Sequence, residues 1–206
     1  MVRVKICGIT SVEDAFLSID EGADAVGFVF YEKSKRFVSV DRAKKISASL
    51  PPFVFKVGVF VNSSVEKILE ICDEVKLNAV QLHGNEDVEF CKNLLKRTDV
   101  IKAVGIENEN DIVKAMKYRD FFVLFDTKTP QYGGSGKSFD WNLLAPYTHE
   151  FGYFIVSGGL NEKNVSEVVN LLSPFAVDVS SGVEEKPGKK NPTKIRNFIK
   201  KAKGLL

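Results

Sequence analysis

Two kinds of hydrophobic pattern take turns along the chain. Short runs with apolar residues at nearly every position are followed by stretches where they recur every three or four. The opening "RVKIC" reads as a β-strand. "SVEDAFLSIDEG" reads as a helix with Val12, Ala15, Phe16 and Ile19 on one face and Gly22 as its stop. The couplet recurs as "ADAVGFVF" before "VDRAKKISASL", "FVFKVGVFV" before "SVEKILEICDEV", "NAVQLH" before "EDVEFCKNLLKR", and "DVIKAVGI" before "NENDIVKAMKY". The second half brings "FFVLFD", a long loop and a short helix near "FDWNLLAPY", then "YFIVSGG" with "NEKNVSEVVNLL". It closes with "FAVDVSSG" and "NPTKIRNFIKKAKG".

Eight strands alternating with eight helices predict an α/β fold, and strands apolar on both faces predict a parallel sheet covered by helices. A repeat of roughly 25 residues points to one closed (β/α)8 TIM barrel spanning residues 1–206 as a single domain. An open doubly wound sheet is the alternative, but "CGIT" is a poor glycine-rich first turn.

Composition narrows the function classes. Basic and acidic residues nearly cancel at a net charge of +2, so there is no electrostatic case for nucleic acid or an anionic membrane surface. The longest apolar runs fall well short of the ~20 residues of a membrane helix. No secretory signal precedes the first strand. Cys7, Cys72 and Cys91 stand at no metal-ligand spacing and read as free thiols in a reducing, cytoplasmic setting.

In such barrels the reacting groups sit where strands end and in the loops that follow. Those positions hold Cys7, the segment from Phe30 to Arg36, Asn62, His83, Gly105, Asp126, Ser157 and Ser180. The endings Ser157–Gly159 and Ser180–Gly182 expose backbone amides at the two loops that commonly grip a phosphate, which predicts a phosphorylated ligand. "GKS" at Gly136 lacks the glycine that a nucleotide loop needs at Gln131, so that stretch reads as a loop folding over a ligand, with Gly133, Gly134 and Gly136 as its flexible points.

Asp126 closes an apolar strand, and a carboxyl held protonated there can act as a general acid. Cys72 and Cys91 lie on apolar helix faces and read as core, whereas Cys7 ends a strand at the barrel mouth. It can serve as nucleophile or as proton acceptor. Of the two histidines, His149 reads as exposed and His83, at the right end, has no evident pairing with Cys7. One histidine at the mouth is too few for a convincing metal site. Lys33, Lys35 and Arg36 form either a solvated loop or a cationic edge, with Arg36 as a planar clamp for a carboxylate. Asp178 alternates with Val177 and Val179, points inward and needs partners.

Together "VKICGIT", "GADAVGFVF" with "SKRFVS", "VGVFVN", "VQLHG", "LFDTKTPQYGGSGKSFDW", "SGGLNEKNV" and "AVDVSSGVEEKPGKK" resemble the phosphoribosylanthranilate isomerase family of tryptophan biosynthesis. The resemblance runs from the first strand to the last loop. It implies a cofactor-free barrel that catalyses the Amadori rearrangement of an N-phosphoribosyl aminobenzoate. It also implies Cys7 as general base, Asp126 as general acid and Arg36 at the substrate carboxylate. Gly134, Ser135, Gly158, Gly159, Ser180 and Ser181 match the phosphate-gripping segments, and Asp178 matches an acidic site position of unassigned role. Lys189 and Lys190 lie in a loop that either closes on the phosphate side or is solvated.

Another phosphosugar isomerase or epimerase barrel, or a non-catalytic phosphoribosyl-binding barrel, is the alternative. The expected partner is a small phosphoribosyl substrate, with no nucleic acid or membrane. Phe53 and Phe55 beside "PP" are consistent with either a monomer or a homodimer.

Overall fold

In a computed structural model that describes residues 1–129, 136 and 138–205, eight parallel strands close on themselves in sequence order. They are β1 (Arg3–Cys7), β2 (Ala25–Val29), β3 (Phe55–Phe60), β4 (Ala79–Leu82), β5 (Asp99–Ile106), β6 (Phe122–Thr127), β7 (Phe154–Val156) and β8 (Ala176–Val179). β1 completes the circle by pairing with both β2 and β8. The helices between them are α1 (Val12–Asp20), α2 (Val40–Ser49), α3 (Val65–Val75), α4 (Val88–Leu95), α5 (Glu109–Ala115), α6 (Val165–Leu172) and α7 (Pro192–Ala202). Ser11, Ser39, Ser64, Asp87 and Asn191 each accept a hydrogen bond from the backbone N–H three residues on, which starts the helix that follows.

The two faces of the strands serve different cores. Outward residues such as Val4, Ile6, Val26, Phe28, Phe60, Val80, Leu82 and Phe125 pack against the helices. Inward residues Val57, Ala79, Ile101, Ala103, Leu124, Ile155 and Ala176 fill the barrel floor as a separate cluster. Cys7, Val29 and Val59 form a third cluster higher up, with Tyr31 against it. Period-two alternation is what assigns each residue to one of these cores.

Two outcomes differ from the sequence expectation. Among the described residues, the sixth helical position holds two 3-10 stretches, Trp141–Leu143 and Ala145–Glu150, in place of an α-helix. Pro146 lacks the N–H that a continuing α-helix would use, so the chain tightens into short turns. The stretch after β8 is a hairpin of β9 (Glu184–Lys186) and β10 (Lys189–Lys190), which turns at Pro187 and at Gly188 with φ +80°.

One buried network ties the loops at the open end to the barrel wall. Lys102 points outward from β5 and donates to Leu82 O (3.1 Å), Gly84 O (2.8 Å) and Glu86 Oε2 (3.0 Å). Glu86 in turn accepts from the backbone N–H groups of Asn62 and Gly84, at 2.8 and 2.9 Å. A single ion pair thereby fixes the loops after β3 and β4.

The 3-10 segment is anchored by Phe125, which is fully buried and meets Phe151 edge-on at 4.9 Å. Phe125→Ala is expected to cost about 3–5 kcal/mol in equilibrium urea unfolding. A loss below about 1 kcal/mol would show that this contact does not hold the segment.

Candidate active site

β1 delivers two inward side chains, Lys5 and Cys7, one alternation apart. Gly27 on β2 makes room for them, because a Cβ there would stand 2.8 Å from Cys7 Sγ and 3.0 Å from Lys5 Cε. Lys5 is wholly enclosed and donates to Gln81 Oε1 (2.8 Å) and Asp178 Oδ1 (2.9 Å). The other Asp178 oxygen receives Ser157 Oγ at 3.5 Å. The inward aspartate has thus found its partner, a buried ammonium. Burial disfavours the charge on Lys5, but Asp178, together with Cys7 when it is ionised, more than offsets this and holds the ammonium above its ordinary pKa.

Cys7 is 7% exposed, against Val29, Val59 and Tyr31. Burial pushes its thiol pKa up; the Lys5 and Lys190 ammonium groups pull it down, without reversing the shift. Cys72 and Cys91 are core residues, as their helix positions predict, and burial lifts both to about 11.

Asp126 is the last residue but one of β6, at the same open end and 6% exposed. Its Oδ1 accepts the Thr127 N–H at 2.7 Å, and its Oδ2 lies 3.2 Å from His83 Nε2. His83 therefore pairs with the aspartate and not with Cys7. The other ring nitrogen, Nδ1, is 3.4 Å from Gln81 Nε2. Gly158, at φ +84°, lets the loop after β7 pass Asp126 closely, since a Cβ there would stand 2.9 Å from Oδ1.

Arg36 forms a two-pronged ion pair with Glu184, Nε to Oε1 at 2.8 Å and Nη2 to Oε2 at 2.7 Å. Its stem runs over Gly8, whose φ of +76° turns the chain out of β1. Lys33 and Lys35 are exposed, so they are the solvated part of that loop. Lys190 overturns the picture of a solvated basic loop: it is 1% exposed, and Nζ donates to Cys7 O (2.6 Å), Ser180 O (3.2 Å) and Glu184 Oε1 (3.1 Å). Burial works against the Glu184 carboxylate, yet Arg36 and Lys190 together keep its pKa below the usual range. For Lys190 burial prevails over Glu184, and its pKa falls.

Gly158 and Gly159 both take positive φ after β7. Ser181 opens a 3-10 turn after β8, and Ser180 Oγ is buried without a hydrogen-bond partner among the described residues. A hydroxyl without a partner among the described residues, at the start of the loop after β8 and close to Gly8, is suited to an anionic oxygen. Gly134 and Ser135, and Gly133 of the same loop, lie outside the described residues.

Cys7, Asp126, Asp178, Ser180 and Gly158 thus gather at one end of the barrel, with Arg36 at its edge. Sequence reasoning missed Gln81 and Glu184 as parts of the site, and it missed the His83–Asp126 pairing. A legible trace existed: Lys5 and Gln81 stand two residues before Cys7 and His83 in apolar strands, on the same inward face.

The raised thiol has a measurable consequence. Alkylation of Cys7, read by mass spectrometry of its peptide, is expected to stay slow near neutral pH and to accelerate only above the ordinary thiol range near ~8.5. Lys5→Met moves that rise to higher pH, because it removes an ammonium that favours the thiolate. Full thiolate reactivity at neutral pH would contradict this electrostatic account.

Known proteins match this arrangement along its whole length. The family model described as N-(5'phosphoribosyl)anthranilate (PRA) isomerase matches residues 4–201. The N-(5'-phosphoribosyl)anthranilate isomerase of Thermotoga petrophila is 62% identical, with all of both chains covered. Two solved structures also cover both chains completely. One, a phosphoribosyl anthranilate isomerase in complex with reduced 1-(o-carboxyphenylamino)-1-deoxyribulose 5-phosphate, has a TM-score of 0.93 at 56% identity. The other, of monomers generated from the dimeric isomerase of Thermotoga maritima, has a TM-score of 0.92 at 55% identity. Fold and sequence agree across the barrel, and this chain belongs to the N-(5'-phosphoribosyl)anthranilate isomerase family of enzymes.

Proposed function

We propose that the chain, acting as one domain over residues 1–206, carries out the Amadori rearrangement of N-(5'-phosphoribosyl)anthranilate in tryptophan biosynthesis. The product is 1-(2-carboxyphenylamino)-1-deoxyribulose 5-phosphate, with Cys7 as general base and Asp126 as general acid. The observation that carries the reading is the placement of a buried thiol on β1 and a buried carboxyl on β6 at the same open barrel end. The bound product analogue in the 56% identical relative supports the substrate class.

Asp126 gives its proton to the ribose ring oxygen as the bond from that oxygen to C1′ breaks. The amine nitrogen supplies the electron pair, which leaves a cationic imine that acidifies the C2′ hydrogen. Cys7, as thiolate, takes that hydrogen as a proton, and the C2′–H electrons flow into the imine to give an enol-amine. The enol then becomes the ketone: C1′ gains a proton and the C2′ hydroxyl loses one. A thiol pushed up by burial suits this order of events. The cationic imine adds a positive charge beside Cys7 at the step where the thiolate is needed.

Arg36 faces the substrate carboxylate with its remaining edge, since Glu184 takes the Nε–H and one Nη2–H and leaves the Nη1 hydrogens and the second Nη2 hydrogen. Gly158, Gly159, Ser180 and Ser181 receive the phosphate, supported by a Ser180 hydroxyl without a partner among the described residues, and Gly134 and Ser135 join them by their match to the family pattern. Asp178 acts chiefly through Lys5. Free Cys7, Cys72 and Cys91 support a cytoplasmic setting.

The reading extends to assembly as a homodimer formed at the opposite barrel end. Phe53 stands fully exposed there at φ +73°, beside a cavity of about 400 Å³ lined by Phe55, Val57, Ile101, Phe122, Ile155 and Phe175. An exposed aromatic in a backbone conformation that costs free energy is accounted for by burial in a second copy. A two-fold axis sets each Phe53 at the other cavity. The dimeric state of the Thermotoga maritima relative supports this.

Two tests follow. With phosphoribosylanthranilate as substrate, Cys7→Ser and Asp126→Asn should each lower kcat about 10²- to 10⁴-fold while binding of the reduced product analogue persists. Wild-type turnover in Cys7→Ser would leave the reaction and remove the proposed base. In sedimentation at micromolar concentration, Phe53→Glu should run as a monomer and the wild type as a dimer. A Phe53→Glu protein that remains dimeric places the interface elsewhere.

A further inference from the structure

Inside the barrel a line of polar side chains joins the neighbourhood of Cys7 to that of Asp126. It runs from Lys5 through Gln81 to His83, and each link has a direction set by chemistry. Lys5 is an ammonium paired with Asp178 at 2.9 Å, and an ammonium can only donate. The Gln81 atom 2.8 Å from Lys5 Nζ must therefore be the carbonyl oxygen, since the reversed amide would set two donors against each other in a residue only 1% exposed. With that orientation fixed, the Gln81 amino group faces His83 Nδ1 at 3.4 Å, so Nδ1 presents its lone pair. The proton of a neutral ring then sits on Nε2, 3.2 Å from Asp126 Oδ2.

We propose that Gln81 is a positioning residue that turns the fixed charge of Lys5 into a fixed His83 tautomer, aiming the ring N–H at the Asp126 carboxylate. This rests on the reading of Asp126 as the general acid. When Asp126 has given its proton to the ribose oxygen, a carboxylate is left in a site that is 6% exposed. One of its oxygens already has the Thr127 N–H, and the other receives the His83 N–H. With the proton on Nδ1, that second oxygen would meet a nitrogen lone pair, and proton donation by Asp126 would lose that support.

The tautomer can be read without any assay of turnover. Two-bond ¹H–¹⁵N spectra of uniformly labelled protein distinguish a ring protonated on Nε2 from one protonated on Nδ1. The chain has two histidines, so His149→Asn leaves the His83 pattern alone. In the wild type His83 should carry its proton on Nε2. Gln81→Glu, close in shape but presenting an acceptor, should move the proton to Nδ1 and lower kcat by about ten- to a hundredfold, with a smaller change in KM. In an Asp126→Asn background the same substitution should cost much less, because the group it serves is gone.

A wild-type His83 protonated on Nδ1, or on both nitrogens at neutral pH, overturns the proposal. So does a Gln81→Glu protein whose His83 remains protonated on Nε2. Full activity of Asp126→Asn with the expected tautomers would instead remove the acid assignment and leave the Gln81 orientation standing, so the two failures are separable. The wild-type spectrum alone decides the tautomer, even if a Gln81 variant fails to fold.

Discussion

Lys5 and Asp178 sit 2.9 Å apart inside the barrel, their side chains only 4% and 6% exposed. Taking both charges out of water costs several kcal/mol each, recovered only with close geometry and with hydrogen bonds to the remaining donors and acceptors. Gln81 and Ser157 supply those bonds. Everything above the pair is arranged around it. Cys7 lies beside an ammonium that cannot move away, Gln81 has its amide direction set by the same ammonium, and β1, β4 and β8 are tied at one level. A floor of Val57, Leu124, Ile155 and small alanines closes off the space below. Replacing a buried pair with apolar residues of similar volume is often neutral for stability, but Cys7 would then lose Lys5 and keep only Lys190 of its two ammonium neighbours.

A second set of buried charges fixes the rim. Glu184 receives Arg36 and Lys190, and Lys190 also holds the carbonyl ends of Cys7 and Ser180. The loop after β2, the end of β1, the end of β8 and the β9–β10 hairpin thus share one polar knot. On the other side, Lys102 and Glu86 hold the loops after β3 and β4, and so bring His83 to Asp126. Strand ends placed this way carry side chains with little freedom to drift, which a site acting by proton transfer over short distances requires.

The two ends of the barrel divide the work. Polar and titratable groups collect at the C-terminal end, where loops leave the strands. The N-terminal end carries the aromatics, with Phe55, Phe122 and Phe175 around its cavity beside Arg3, Asp24 and Asp99, and Phe53 projecting from it. A contact between copies at that end would leave the mouth open to ligand. Assembly and chemistry then load different loops of the same strands.

The periodicity of apolar residues, by itself, determined the strand and helix order, the closed barrel and the end at which the polar residues collect, because alternation and helical spacing are local properties. It also separated Cys7 from Cys72 and Cys91, since a strand end and an apolar helix face are different addresses. The short helix near Trp141 is present but takes 3-10 form, with Pro146 in its second stretch. Only the tertiary structure decided that His83 belongs with Asp126, that Arg36 spends two nitrogens on Glu184, and that Lys190 is buried. Their partners lie up to 183 residues away in the chain, as with Lys190 and Cys7. A local pattern says which face a side chain occupies. Which charge it meets there depends on how eight strands register around a closed ring, and that is settled only when the last strand pairs with the first.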